Sequence, residues 1–113
     1  MGIELKVEQH DKGVLIHVDG DIDTLTAPEL QSCMASELRE TSQVFVIDMS
    51  DVRYISSMGL RVFLSHLKRV KAQNGTMVIA AASKLVSDVF RMSGFSNYFE
   101  MTADVESATA KLA

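Results

Sequence analysis

Apolar and polar residues alternate at the start of the chain, and a period of two is typical of strands buried on one face. Ile3, Leu5 and Val7 alternate with charged residues, and a second apolar stretch occupies residues 14–18. Between them, residues 10–13 read HDKG, which is the composition of a turn. The pattern therefore predicts two strands that pair as an antiparallel hairpin.

Continuous apolar runs and helical spacing alternate in the middle of the chain. Residues 43–49 and 76–81 are apolar runs with β-branched side chains, which suit strands buried on both faces. The segment between them repeats apolar residues at the helical period, at Leu60, Phe63, Leu64, Leu67 and Val70. A strand, a helix and a second strand in this order form a crossover, so part of the sheet should be parallel.

Another helix is predicted between the hairpin and the first buried run. Thr26 and Glu29 have the spacing of a capping box, and Pro28 is tolerated in a first helical turn because its missing N–H would be unpaired there. The apolar stripe of this helix comprises Leu30, Cys33, Met34 and Leu38.

The last third of the chain completes the pattern. A further apolar stripe at helical spacing comprises Leu85, Val86, Val89 and Phe90. Gly94, with Phe95 behind it, is expected to end this helix. Residues 97–101 are predicted to form a short edge strand, and residues 104–112 a terminal helix. Together the elements predict one α/β domain over residues 1–113, with a mixed sheet of four or five strands and about four helices.

Composition and charge narrow the classes of function. Of the 113 residues, 47% are hydrophobic and 23% are charged, as in a compact domain. The net charge of −4 disfavours a nucleic-acid surface, which needs clustered Lys and Arg. Cys33 is the only cysteine, so no disulfide can form within the chain. The longest apolar run, residues 77–82, is too short for a bilayer span, and no apolar signal segment is present. We therefore expect a cytoplasmic protein without membrane contact.

Two adjacent serines, Ser56 and Ser57, lie where the buried run gives way to the helical pattern. Three roles are compatible with this position: a helix cap, a catalytic nucleophile and a phosphorylation site. The nucleophile is the least favoured, because Ile55 stands where a nucleophile elbow requires glycine. His66 would lie roughly 13 Å along the helix from Ser57, too far to act as its base. The sequence also has no metal-ligand spacing and no phosphate-cradling glycine loop, so we predict neither an enzyme nor a cofactor.

The residues alone leave both the cap and the phosphorylation site open. Serine is a favoured N-cap residue, and either serine could accept an N–H of the first helical turn. A phosphate is also stabilised at a helix N-terminus and would add about −1.5 to −2 charges to the surface. Helical geometry places Met58, Val62, Ser65 and Arg69 on the face opposite the Leu60 stripe. We therefore predict a protein-docking surface beside the serines.

Three segments in order carry a family resemblance: GDIDTLTAPEL at 20–30, VIDMSDVRYISSMGL at 46–60 and VFRMSGF at 89–95. With these segments the chain resembles the STAS-domain anti-sigma factor antagonists of bacterial partner switching. The resemblance covers nearly the whole length and implies a STAS-like fold. It also implies that the unphosphorylated protein binds an anti-sigma factor and so releases a sigma factor. That partner is expected to be a serine kinase as well, and a PP2C-type phosphatase is expected to reverse the modification.

The resemblance assigns roles to individual residues. Ser57 aligns with the phosphoacceptor of the family, while Ser56 replaces an Asp of the motif and is an alternative acceptor. Met58 replaces the second hydroxyl residue of the motif. The implied docking surface comprises Asp21, Asp23, Thr24, Ser56, Met58, Gly59, Val62, Ser65 and Arg69. The alternative function is a STAS docking module that is never phosphorylated and serves another signalling or transport complex.

Overall fold

The strands of the described chain form one mixed sheet in the order in which they occur in the sequence. The structure is a computed structural model that describes residues 2–113. Its strands are β1 (Glu4–His10), β2 (Gly13–Asp19), β3 (Val44–Asp51), β4 (Thr76–Ala80) and β5 (Glu100–Thr102). β1 and β2 form the predicted antiparallel hairpin, and β2, β3, β4 and β5 pair in parallel. The predicted α/β fold with a mixed sheet is confirmed.

Helices link the parallel strands, because neighbouring parallel strands need a crossover connection. The helices are α1 (Ala27–Ser36), α2 (Ser57–Ala72), α3 (Lys84–Met92) and α4 (Val105–Thr109), with 3₁₀ turns at Phe95–Asn97 and Ala110–Leu112. α1, α2 and α3 each connect two consecutive strands of the parallel part, and α4 follows the last strand. Over residues 2–113, every helix is too short or too polar to cross a membrane.

The sheet separates a large core from a small one. On one face, alternate residues of the central strands, such as Ile16, Ile47 and Ile79, are buried together with side chains of α1, α2 and α3. On the other face, α4 and the turn after it cover a smaller cluster. Its buried members are Val46, Val78, Ala80, Ala108 and Leu112. The apolar runs at β3 and β4 are thus buried on both faces, as their composition predicts.

Helix α1 begins where the sequence predicts but is capped differently. Thr26 is the N-cap residue, yet its side chain makes no capping hydrogen bond to the helix. The Thr26 hydroxyl instead accepts the Asp23 amide hydrogen at 2.9 Å and donates to the Asp21 carbonyl at 2.8 Å. Because this hydroxyl is engaged in the preceding loop, the predicted capping box with Glu29 is wrong. The predicted apolar stripe is confirmed, with Leu30 and Met34 buried and Cys33 and Leu38 packed against the core.

Helix α2 buries a wider face than its apolar spacing predicts. The predicted stripe from Leu60 to Val70 faces the core. Val62, which was expected on the opposite face, is only 6% exposed and belongs to the main core. The reason is that α2 packs against α1 as well as against the sheet, so that a second side of the helix is covered. The prediction that Val62 faces solvent is therefore wrong.

The last third of the chain follows the predicted order with shifted boundaries. In α3, Val86 and Phe90 face the core, whereas Leu85 is 61% exposed, so its predicted place in the stripe is wrong. Gly94 follows α3 with a φ of 83°, the left-handed conformation expected of a glycine stop signal. The strand predicted at 97–101 is confined to β5, because the chain first forms the 3₁₀ turn.

Candidate docking site at the start of helix α2

The loop after β2 and the segment after β3 are joined by backbone hydrogen bonds. Ile22 forms a parallel bridge with Ile55, in which the Ile22 amide donates to the Tyr54 carbonyl at 2.9 Å. The Ser56 amide donates to the Ile22 carbonyl at 2.8 Å. A further bond runs from the amide of Gly20 to the carbonyl of Asp51 at 3.2 Å. The loop at 20–26 is therefore held beside the two serines, as the sequence predicts.

The two serines have different environments. Ser56 has an extended backbone, with φ −85° and ψ 170°, and its hydroxyl oxygen accepts the Gly59 amide hydrogen at 3.1 Å. Ser56 is thus the N-cap of α2, which is one of the roles that the sequence left open. Ser57 is the first residue of the helix, and its side chain is exposed. Within residues 2–113, no side chain or carbonyl is hydrogen-bonded to the Ser57 hydroxyl.

Gly59 brings α2 close to the bridge beneath it. A Cβ at this position would lie 2.6 Å from Cγ2 of Ile22 and 2.8 Å from Cγ1 of Ile55. Distances this short are not tolerated between carbon atoms, so the approach of the helix to the two loops requires glycine here. Gly59 is buried and shapes the site from below, while its neighbours Ser57 and Met58 are exposed.

Asp23 organises the loop at 20–26 internally. Its carboxylate oxygen Oδ1 accepts the amide hydrogens of Leu25 at 2.9 Å and of Thr26 at 3.0 Å. The bond with the Thr26 amide has the largest effect. Together the two bonds lower the pKa of Asp23 below its usual value and keep the side chain ionised. Asp21 and Thr24, by contrast, are exposed. Among the loop residues of the predicted surface, these two have side chains free to meet a partner.

A cleft of about 490 Å³ opens between the loop and the end of β3. Residues that the sequence analysis did not select line it: Leu25, Asp51, Arg53 and Tyr54. Leu25 is 87% exposed and Tyr54 49% exposed, although both are large apolar side chains. Met58, in the first turn of α2, is 40% exposed. Exposed aromatic and aliphatic side chains at one site are typical of protein-binding surfaces. The only indication of this lining in the sequence is that Leu25 interrupts a polar run.

The outer face of α2 extends this surface along the helix. Met58, Ser65 and Arg69 are exposed, as predicted. Val62 is absent from this face because it is packed in the core. The exposed part of α2 is therefore more polar than the sequence predicts, and its apolar contribution comes from the first turn.

An ion-pair cluster fixes the end of β3 beside the cleft. Nδ1 of His17 lies 2.7 Å from a carboxylate oxygen of Asp48, and Nε2 lies 3.0 Å from one of Asp51. The hydrogen bond to Asp48 raises the pKa of His17 and outweighs the opposing effect of burial. Burial alone would raise the pKa of Asp48, but hydrogen bonds from the Ser50 amide and from His17 hold it below its usual value. His17 thus ties Asp51, which lines the cleft, to the sheet.

His66 is not part of the site. Its ring is buried edge-on against Phe45, with ring centroids 4.4 Å apart. Burial, with a smaller contribution from Arg69, lowers the pKa of His66 to about 4, so the ring is neutral near pH 7. Its Nε2 has no hydrogen-bond partner among the residues that the structure describes. No pairing of His66 with Ser57, as a nucleophile would require, occurs in residues 2–113.

Residues 4–108 match the STAS domain family, so the chain belongs to this family. Curated proteins named anti-sigma factor antagonists are among its relatives. The anti-sigma-B factor antagonist of Bacillus subtilis (strain 168) is 29% identical over 106 residues, or 94% of this chain and 96% of that protein.

Solved structures share the fold. An anti-sigma factor antagonist from Mycobacterium paratuberculosis has a TM-score of 0.86 at 24% identity, covering 97% of this chain and 93% of that chain. The anti-sigma factor antagonist SpoIIAA in its unphosphorylated form has a TM-score of 0.81 at 18% identity, covering 96% of this chain and 95% of that chain. SpoIIAA of Bacillus has also been solved in a phosphorylated form. The predicted resemblance and the predicted fold are confirmed.

Proposed function

We propose that this protein is a partner-switching antagonist in the cytoplasm, and that the hydroxyl of Ser57 is its switch. The unphosphorylated form binds an anti-sigma factor and releases a sigma factor, and phosphorylation of Ser57 ends the complex. One observation carries the assignment to Ser57 rather than Ser56. The Ser56 hydroxyl accepts the Gly59 amide hydrogen, whereas the Ser57 hydroxyl is exposed at the start of α2.

A phosphate at position 57 is compatible with the fold. The position is exposed, so the added group does not have to enter the core. It also lies in the first turn of a 16-residue helix, where the helix dipole and free amides stabilise an anion. Phosphorylation therefore changes the surface without unfolding the domain. The phosphorylated form of SpoIIAA, a structural relative, is consistent with this proposal.

The same phosphate would weaken docking. It adds about −1.5 to −2 charges at pH 7. The neighbouring loop already carries the exposed carboxylate of Asp21, and the backbone bond from Ser56 to Ile22 holds this loop close. A partner shaped for the unphosphorylated surface would have to desolvate the phosphate, and a buried charge without a complementary group in the interface costs several kcal/mol. Since each 1.4 kcal/mol is about tenfold in affinity, we expect a loss of roughly two to three orders of magnitude.

The protein acts in this scheme as a binding partner and substrate, not as an enzyme. Its apolar contacts are Leu25, Tyr54 and Met58, and its polar contacts are Asp21, Thr24, Ser65 and Arg69. The anti-sigma factor supplies the serine kinase activity, and a PP2C-type phosphatase restores the unphosphorylated form.

Intact-mass analysis after incubation with the cognate anti-sigma factor kinase and ATP tests the assignment. We expect one added phosphate in the wild type and in Ser56→Ala, and none in Ser57→Ala. Phosphate added to Ser57→Ala but not to Ser56→Ala would make Ser56 the acceptor. A wild-type protein that binds its partner but never gains phosphate would support the alternative docking module.

A further inference from the structure

A second groove, of about 470 Å³, lies between the later turns of α2 and the 3₁₀ turn that follows α3. Its apolar lining consists of Leu64, Leu67, Phe95 and Tyr98. Leu64 is seven residues beyond Ser57 on α2, a separation of about 10 Å along the helix. None of the groove residues lines the cleft at the start of α2. The groove is thus a separate feature of the surface.

Two lysines border this apolar groove. Lys68 and Lys71 both line it and are exposed. They are three residues apart, so that their side chains are neighbours on the helix surface. Within residues 2–113, neither ammonium group lies within 4 Å of a carboxylate, whereas Lys84 and Lys111 each form an ion pair. In a protein with a net charge of −4, two adjacent unpaired cations beside an apolar groove favour an anion there.

The size of the groove indicates a small molecule. Ligand sites commonly have volumes of about 300–1,000 Å³, with mostly apolar linings and a few polar groups that orient the ligand. The fitting occupant has an apolar body that covers Leu64, Leu67 and Phe95, and a negative group near the lysines. Tyr98, which lines the same groove, is largely exposed.

From these features we infer that the groove binds an amphipathic carboxylate, such as a free fatty acid, with its carboxylate between Lys68 and Lys71. The inference rests on the groove alone and is independent of the switch at Ser57. It gives the protein a small-molecule site at the later turns of α2, away from the proposed switch at the start of the helix.

Titration of the full chain with decanoate, below its critical micelle concentration and followed by amide NMR shifts, tests this inference. We expect saturable shifts at residues 64–71 and 95–98. Decan-1-ol and decyltrimethylammonium, which have the same apolar chain without the negative charge, should bind at least about tenfold more weakly. Equal binding of either one, or shifts confined to the cleft at residues 19–26 and 51–54, would overturn the proposal.

Variants separate recognition of the charge from a nonspecific effect of detergent. The double variant Lys68→Gln/Lys71→Gln should weaken decanoate binding at least about tenfold, because both cationic partners are lost. Lys12→Gln, an exposed lysine in the β1–β2 turn, is the matched control and should bind as the wild type does. Tyr98→Ala should also weaken binding, and its exposed position makes misfolding no concern. Unchanged affinity in the double variant, or an equal loss in the control, would refute the site.

Discussion

The amide of Ser56 donates to the carbonyl of Ile22 at 2.8 Å, and this bond joins the cap of helix α2 to the loop after β2. With the Ile22–Ile55 bridge and the close approach of Gly59, it makes the loop and the start of the helix one rigid unit. A group added at Ser57 therefore meets a preformed surface, and the following predictions depend on that arrangement.

The two serines should respond differently to substitution. Ser56→Ala removes the bond to the Gly59 amide and should lower the free energy of unfolding by about 1 kcal/mol, the usual value for an N-cap serine. Ser57→Ala removes no such bond and should change the free energy of unfolding by less than about 0.5 kcal/mol. Urea denaturation followed by circular dichroism measures both. A larger loss in Ser57→Ala than in Ser56→Ala would contradict the assignment of the cap.

Leu25 and Tyr54 should contribute to partner affinity without supporting the fold. Both line the cleft and are exposed, so truncation costs little core packing. We expect Leu25→Ala and Tyr54→Ala each to weaken binding of the anti-sigma factor by more than about 1 kcal/mol, measured by calorimetry, with unchanged thermal stability. Leu85→Ala, on the exposed side of α3, is the matched control. An equal loss of affinity in all three variants would mean that the cleft has no special role.

Met58 tests whether the first turn of α2 belongs to the interface. Met58→Glu places a carboxylate in the N-terminal turn of the helix, where the dipole favours it, so stability should not fall. Affinity for the partner should fall at least about tenfold, because the charge replaces an apolar contact beside Ser57. Calorimetry measures this, with Lys12→Gln as the control for the same change of one unit in net charge. Unchanged affinity of Met58→Glu would confine the interface to the loops.

Stability should decrease below neutral pH because of His66. Its pKa is lowered from 6.5 to about 4 in the folded protein, so the unfolded chain binds a proton in this window and the folded chain does not. The stability present above pH 6.5 is therefore lost as pH falls towards 4, by about 3 kcal/mol in total. Urea denaturation at several pH values should show this loss, and His66→Leu should reduce it. If the free energy of unfolding of His66→Leu fell with pH as steeply as that of the wild type, the account would be contradicted.

The titration of His17 should have the opposite effect on the pH dependence of stability. The Asp48 hydrogen bond raises its pKa above 6.5 in the folded state, so its contribution to stability is complete below pH 6.5 and is lost as pH rises through the raised pKa. His17→Gln should therefore flatten the pH dependence of the free energy of unfolding above pH 6.5. If His17→Gln retained the wild-type slope, the ion-pair cluster would not form in solution.

Hydrophobic periodicity was sufficient to predict the order of strands and helices, because most of them bury one face, although Val7 of β1 and Leu85 of α3 are exposed. It failed where one helix meets two neighbours: Val62 is buried because α1 covers a second side of α2. The predicted cap at Thr26 failed for a local reason, since the loop itself engages that hydroxyl.

The site was predicted only in part. The family resemblance implied that the loop lies beside Ser57. The structure brings them together, because the segments that follow the parallel strands β2 and β3 lie at the same end of the sheet. The exposure of Leu25 and Tyr54 could not be read from the sequence, since apolar residues there are equally compatible with burial. The His17–Asp48 pair was missed because the two residues are 31 positions apart and Asp48 lies within an apolar run.

The affinity of the anti-sigma factor for a homogeneous protein with phosphoserine at position 57 tests the central claim most directly. Calorimetry should give a dissociation constant roughly two to three orders of magnitude weaker than that of the unphosphorylated protein. Phosphoserine at position 32, which is exposed on α1 and outside the proposed docking surface, is the control for added charge and should weaken binding far less. Equal affinity of the anti-sigma factor for the unphosphorylated protein and for the protein phosphorylated at Ser57 would contradict the account.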